Sequence, residues 1–293
     1  MKRFLSLPAG RSLELGLRPV IMGIVNITPD SFFGASRRID PQQAAQRALE
    51  LLGEGADILD FGAESTRPGS EPVDPEEEKR RLIPAIRSFR RQSDAIISVD
   101  TRRADVARAA LDEGADIIND IGALGDPGMA SAIAAVGAAV VLMHMRGDPA
   151  TMQANPEYAD CGAEVRDFLL DSVRKALAAG ISRSSILLDP GIGFGKQLSH
   201  NMDLLRRLYL LTESDYPVLV GLSRKRFIGE LTGKAVEERL AGSLGAACAA
   251  WMRGADIFRV HDVAATKDAL TVFEASGWQE GRPEKGMRRD NGS

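Results

Sequence analysis

Cysteine is nearly missing: Cys161 and Cys248 are the only two among 293 residues, far apart and each in a predicted helix. They form neither a metal pattern nor a disulfide framework, which fits a reducing compartment and sets the expectation of a cytoplasmic protein. Histidine is scarce too. His144, His200 and His261 have no legible nucleophile partner, and no cluster of His and Cys has zinc-like spacing. No apolar run approaches the roughly 20 residues of a membrane span, and the N-terminus lacks the apolar core of a signal peptide. No membrane partner is therefore expected. Nor is there an excess of positive charge. The 37 Lys and Arg stand against 41 Asp and Glu, a net charge of -4, with no basic block to make a nucleic-acid face.

What is present suits one large core. A hydrophobic share of 44% in 293 residues is ample, and a single barrel domain takes about 250 residues. From Val20 onward one unit recurs: apolar strand, loop, amphipathic helix, glycine, next strand. Strands are predicted at 20–27, 57–62, 95–100, 116–121, 138–144, 185–189, 217–222 and 256–261. Asp40-Pro41 and Asp74-Pro75 read as helix N-caps followed by a first-turn proline, and Glu76-Glu77-Glu78 suits a positive helix terminus. Gly-Ala-Asp-Ile occurs three times, at 55–58, 114–117 and 254–257, each time between a helical pattern and an apolar strand. A glycine ending the helix left-handed, then Asp-Ile opening a strand, is one junction used repeatedly. Eight strands with this repeat predict an α/β fold, a (βα)₈ TIM barrel. An open doubly wound sheet is the alternative, but no glycine-rich dinucleotide fingerprint follows the first strand.

Residues 4–18 alternate loosely around a Pro8-Ala9-Gly10 turn, with Leu13, Leu15 and Leu17 on one face. They predict a short N-terminal hairpin plugging one end of the barrel. Val165, Phe168, Leu169 and Val173, and Leu204, Leu205 and Leu208, read as helix faces packed on the barrel. The barrel domain is expected over residues 1–275, with a charged, polar tail at 276–293 expected to be disordered.

The stretch Ser185–Lys196 organises the rest. Ile186-Leu187-Leu188 reads as a strand buried on both faces, ending on Asp189 and stopped by Pro190-Gly191. Asp189 then stands at the mouth of a sheet, where such folds place ligands, although an Asp there can also simply close a turn. The other strand ends carry Asn26, Glu64, Asp100, Asn119, His144 or Met145, Lys225, and Arg259 with His261. Jointly they read as a site. Asp100, Asn119 and Asp189 suit a flat heterocycle that displays an amino group beside a ring N–H. Lys225 could donate to a ring carbonyl at a helix start, Arg67, Arg259 and His261 suit a phosphorylated group, and Asn26 offers an oxygen to Mg²⁺.

Long motifs carry a family resemblance. Met22-Gly23-Ile24-Val25-Asn26-Ile27-Thr28-Pro29-Asp30-Ser31-Phe32 and Gly62-Ala63-Glu64-Ser65-Thr66-Arg67-Pro68-Gly69 resemble the two signature loops of the dihydropteroate synthase family. Ser98-Val99-Asp100-Thr101, Ile118-Asn119-Asp120-Ile121, Leu142-Met143-His144-Met145, Leu188–Lys196, Gly221-Leu222-Ser223-Arg224-Lys225 and Arg259-Val260-His261-Asp262 match in order. The resemblance runs from Val20 to about Ala275. It implies a Mg²⁺-dependent transferase of folate biosynthesis, joining a dihydropterin-methyl diphosphate to 4-aminobenzoate. By resemblance, Asp100, Asn119, Asp189 and Lys225 bind the pterin, with Phe194 and Met145 lining its pocket. Asn26, Thr66, Arg67, Arg259 and His261 hold the diphosphate and metal. Phe32, Pro68 and the Lys225-Arg226 helix start flank the aminobenzoate. Asp30, Arg67, Lys225 and His261 are the catalytic candidates, the substrates are the partners, and a homodimer is the expected assembly.

One departure stands out. The family's first loop usually continues with a small polar residue and Asp-Gly-Gly, whereas this chain reads Phe32-Phe33-Gly34-Ala35-Ser36. The added aromatic is expected to alter the fit of aminobenzoate analogues such as sulfonamides. Two rival readings share the pocket chemistry: a corrinoid-linked methyltetrahydrofolate methyltransferase, and a silent paralogue that only binds pterin. The first needs no diphosphate clamp, and the presence of Asn26, Asp30, Arg67 and Lys225 argues against the second.

Overall fold

A computed structural model describes residues 3–27, 40–64, 73–148, 151–152 and 154–277. Strands β1 (Arg3–Ser6) and β2 (Ser12–Leu15) pair antiparallel as a hairpin. The main sheet comprises β3 (Val20–Asn26), β4 (Ile58–Gly62), β5 (Ile96–Asp100), β6 (Ile117–Asp120), β7 (Ala139–Met143), β8 (Ile186–Asp189), β9 (Leu219–Gly221) and β10 (Ile257–Val260). All pairs are parallel, in the order β8-β7-β6-β5-β4-β3-β10-β9. A bridge between Leu188 and Val218 brings the ends together, with Leu188 N donating to Pro217 O at 2.9 Å. The expected barrel is therefore present, with a thin seam between β8 and β9. Each strand falls within two residues of its expected bounds.

Among the described residues, ten helices form the outer layer: α1 (Pro41–Gly53), α2 (Pro75–Arg90), α3 (Ala104–Asp112), α4 (Met129–Val136), α5 (Cys161–Ala178), α6 (Leu198–Arg206), α7 (Tyr209–Thr212), α8 (Arg226–Thr232), α9 (Leu240–Met252) and α10 (Val263–Ala275). Asp40 and Asp74 cap α1 and α2 as expected, accepting from the N–H groups of Gln42 and Glu76, each at 2.9 Å. Among the described residues, no helix is long and apolar enough to cross a membrane. Of the expected tail, only Ser276 and Gly277 are described.

Strand alternation splits the apolar residues into two sets. One side, with Val25, Phe61, Val99, Ile118, Val140 and Leu188, packs on the helices. The other closes the barrel floor, where Met22, Ile58, Ile117, Val141, Leu187 and Leu219 meet Leu5, Leu7 and Leu15 of the hairpin. The plug is real, but Leu17 is not part of it. It is 56% exposed, because the chain leaves β2 at Leu15 and turns through Gly16. Phe168 also departs from expectation. It is 38% exposed and sets its ring edge against His144 at 4.9 Å, on the flank of α5 rather than in the core.

The Gly-Ala-Asp-Ile repeat proves to be a double device. Asp57, Asp116 and Asp256 each accept an amide at the start of a neighbouring strand, from Ile21, Ile97 and Val218, at 2.9 Å in every case. Each also pairs with an arginine from the N-terminal segment: Arg18 with Asp57, Arg11 with Asp116, and Arg3 with Asp256. One junction thus starts three strands and latches the hairpin beneath them.

Candidate active site

Above the apolar floor the inward-facing positions turn polar. Asp60 lies beside Ser98, Gly62 beside Asp100, Asp100 beside Asn119, and Gly221 beside Arg259 across adjacent strands. Ser98 Oγ donates to Asp60 Oδ1 at 2.6 Å, and Asn119 Nδ2 to Asp60 Oδ2 at 3.3 Å. Arg259 bridges two carboxylates, Nε to Asp60 Oδ2 at 2.6 Å and Nη2 to Asp100 Oδ2 at 2.8 Å. Burial pushes the Asp100 carboxyl up to about 7, with Arg259 opposing the shift and Asp60 adding to it. Gly62 and Gly221 carry no side chain beside Asp100 and Arg259: a Cβ on Gly62 would lie 3.4 Å from Asp100 Cβ, and one on Gly221 would lie 3.9 Å from Lys225 Nζ.

Asp189 faces the same interior from the opposite wall and is 6% exposed. Its Oδ1 accepts the Gly191 N–H at 2.7 Å, so it does close its own turn. The turn and site roles coexist, because burial raises its carboxyl while Lys225 and Lys196 pull the other way. Lys225 caps α8, donates to Ile192 O, and holds its ammonium 4.4 Å from the Phe194 ring centre. Burial lowers it to about 8, with Asp189 opposing. A lysine kept between a carboxylate and an aromatic face is poised to donate to a neutral ring.

The rim is braced by ion pairs. Arg224 clamps Asp262 with two bonds, at 2.9 and 2.7 Å, tying the Lys225 turn to the end of β10. His261 Nδ1 lies 3.1 Å from Ser223 Oγ. His261 and Asn26 line one open cavity of about 810 Å³ together with Asp40, Gln43, Arg47 and Glu50 of the α1 face. Arg226 borders a second cavity of about 520 Å³ with Gly193, Lys196, Asn201 and Phe227, and its Nε donates to Glu230 at 2.6 Å. Met145 is half-buried just past β7. Glu64 is committed to Arg102 and Arg103, at 3.3 and 2.5 Å, and so braces the rim.

Ten expected site residues are thus brought to one end of the barrel: Asp100, Asn119, Met145, Asp189, Phe194, Lys225, Arg259, His261, Asn26 and Arg226. Asp30, Phe32, Thr66, Arg67 and Pro68 lie outside the described residues.

The family model for pterin binding enzymes matches residues 22–261. The chain belongs to that family. It is 50% identical over 277 residues to a dihydropteroate synthase of Neisseria meningitidis serogroup B, covering 92% of this chain and 96% of the relative. A solved Xanthomonas albilineans dihydropteroate synthase with 4-aminobenzoic acid superposes with a TM-score of 0.88 at 49% identity, covering 94% of this chain and 98% of that one. A structure of the enzyme from the same organism in complex with 7,8-dihydropteroate gives a TM-score of 0.82 at 46% identity, covering 92% and 98%.

Asp60, Ser98, Lys196 and Arg224 bond to the polar layer or to the loops around it, and inspection of strand ends alone passes over them. Asp60 and Ser98 did leave a signal. Each is a polar residue inside an otherwise apolar strand, Ile58-Leu59-Asp60-Phe61 and Ile96-Ile97-Ser98-Val99, and such a residue must find a buried partner. Arg224 stands in the matched Gly221-Leu222-Ser223-Arg224-Lys225 motif, but its pairing was not legible, because its partner Asp262 is 38 residues away.

Proposed function

We propose that the chain is a dihydropteroate synthase, condensing (7,8-dihydropterin-6-yl)methyl diphosphate with 4-aminobenzoate to give 7,8-dihydropteroate and pyrophosphate in folate biosynthesis. The observation that carries this reading is the buried set Asp100, Asn119 and Asp189, with the half-buried Lys225, facing one barrel interior. Carboxylates and an amide meet the pterin's amino and ring N–H donors, while Lys225 donates to its carbonyl.

The diphosphate end falls to Asn26, Thr66, Arg67, Arg259 and His261. Two nitrogens of Arg259 are already engaged by Asp60 and Asp100, so its Nη1 is the one to reach a phosphate. We propose Mg²⁺ dependence as well. A single carboxamide oxygen from Asn26 fits a metal that keeps several waters and takes the rest of its shell from phosphate oxygens. When bound, Mg²⁺ neutralises charge on the leaving diphosphate. Departure of pyrophosphate before attack leaves a methylene cation conjugated with the pterin, and the aminobenzoate amine then adds to it and gives up one N–H proton to water. Arg67 and His261 hold the leaving anion, Asp30 and Lys225 complete the catalytic group, Phe194 and Met145 line the pterin pocket, and Phe32, Pro68 and Arg226 flank the acceptor ring.

Pyrophosphate release assayed with both substrates and Mg²⁺ tests the reading. Release that requires aminobenzoate supports it. Pterin binding without release would point to the silent binder, and methyl transfer from a methyltetrahydropterin to the methyltransferase. A cytoplasmic location and a homodimer complete the proposal. Leu231, Val236 and Met252, exposed on and beside the largely apolar α9, suit a partner copy.

A further inference from the structure

Beneath the loop that follows β8 lies a lysine that the chemistry above leaves unused. Lys196 is 2% exposed, and its Nζ sits 2.9 Å from His144 Nδ1, 3.2 Å from His144 O, 3.0 Å from Gly191 O and 3.0 Å from Phe194 O. Among the described residues these hydrogen-bond partners include no carboxylate. Asp189 and Cys161 favour its charge from a distance, while Lys225 and Arg146 oppose it, and burial lowers the ammonium to about 7. His144 is pulled down to about 3 by burial and by Lys196, so its ring stays neutral and Nδ1 offers a lone pair. A buried ammonium is costly to keep, and an apolar side chain of similar length would fill the same space.

The three carbonyls explain its retention. They come from two segments pressed together: a Cβ on Gly191 would lie 1.9 Å from His144 O, and one on Gly195 would lie 2.3 Å from Arg146 O. Carbonyl dipoles converging on one point repel each other unless a cation sits at their centre. The same loop presents Ile192 O to Lys225 and lays Phe194 against it. Two further ties hold it: Tyr158 Oη donates to Gly195 O at 2.8 Å, and Gly193 N to Asn201 Oδ1 at 2.7 Å.

We propose that Lys196 is a positioning residue, whose ammonium gathers the carbonyls of His144, Gly191 and Phe194 and so holds the 191–195 loop where it aims Lys225 and Phe194 at the pterin. It acts through the loop and not on substrate, since its donors are spent on backbone and His144. This inference rests on the pterin reading of the site.

The test compares wild type, Lys196→Met, Tyr158→Phe and the double variant. The readouts are calorimetry with 6-hydroxymethylpterin, the KM of each substrate, and thermal melting. Lys196→Met is expected to raise the pterin Kd, and the KM for the pterin diphosphate, at least tenfold while leaving the KM for aminobenzoate within twofold. Tyr158→Phe, which cuts a lesser tie at a half-buried residue, should raise the same pterin constants two- to threefold. The double variant should fall short of the product of the two effects, because both act on one loop. A folded Lys196→Met that binds pterin within twofold of wild type overturns the proposal. So does a loss confined to kcat that tracks the folded fraction. If Lys196→Met does not fold, unchanged pterin affinity in Tyr158→Phe overturns it. Wild-type protein that binds no pterin would instead remove the functional reading itself.

Discussion

Lys225 shows why single residues at strand ends were legible. It follows an apolar strand, precedes a helix, and brings a charge to a place where nothing structural demands one. Lys225→Ala strips the pterin carbonyl of its donor and removes the positive charge that most favours ionised Asp189. A loss of about 2–5 kcal/mol in pterin affinity and a collapse of turnover are expected, read by calorimetry and pyrophosphate release. Near-wild-type activity would reject the role. Asp189→Asn turns an acceptor into a donor facing donors, so its loss should exceed the roughly 0.5–1.5 kcal/mol of one net hydrogen bond. Titration gives an independent handle. Asp100, raised to about 7, must shed its proton to accept from the pterin, so affinity grows as pH rises through that value. Lys225, lowered to about 8, and Lys196, lowered to about 7, must keep theirs, so affinity falls on the alkaline side. The profile of kcat/KM for the pterin diphosphate is expected to be a narrow bell. In Asp100→Asn, which cannot ionise, the acid limb should vanish and the alkaline limb remain. Persistence of the acid limb would assign it to another group.

At the scale of elements, periodicity made the strands and most helix faces plain, because alternation and the 3.6-residue repeat follow from burial. Phe168 escaped for the same reason in reverse. Its helical spacing matches Val165 and Leu169, but a ring on the edge of α5 met His144 instead of the core. Loop geometry was the least legible, since a run of glycines says that tight conformations occur without saying what they press against. Gly191 carries φ +63 with its Cβ position inside contact range of a carbonyl, whereas Gly10 carries φ +73 with open space around it. Left-handed backbone alone costs about 1–2 kcal/mol for a residue with a Cβ. Gly10→Ala should therefore lower stability by about that amount in denaturant melts and leave pterin binding intact. Gly191→Ala adds a steric overlap that only displacement of the loop can relieve, so it should abolish measurable pterin binding in calorimetry. If the two variants bind pterin alike, the loop is not the constraint that its packing against His144 implies.

For the whole molecule, the two ends of the barrel divide the work. The C-terminal end gathers buried carboxylates and lysines whose shifted protonation is costly to the fold and useful to a ligand. The opposite end gathers Asp57, Asp116 and Asp256, each accepting a strand amide and an arginine from the N-terminal segment. The repeated Gly-Ala-Asp-Ile was visible in the chain, but the role of its aspartates was not, because Arg3, Arg11 and Arg18 lie 39 to 253 positions away from them. The three pairs differ in depth, and depth decides their worth. Asp256 is fully buried and Asp116 nearly so, whereas Asp57 and Arg18 are more open to water, at 17% and 57%. Arg3→Ala leaves a buried carboxylate short of a partner and should cost about 3–5 kcal/mol, while Arg18→Ala should cost no more than about 1 kcal/mol. Arg11→Ala should fall between them, since Arg90 also reaches Asp116 at 3.1 Å. None of the three touches the pterin end, so residual folded protein should bind 6-hydroxymethylpterin with wild-type affinity. Denaturant unfolding of the three variants, paired with calorimetry, checks both halves. An order of destabilisation other than Arg3, Arg11, Arg18 would mean that exposure does not govern the latch. A matching loss of pterin affinity would mean that the floor of the barrel is coupled to its mouth.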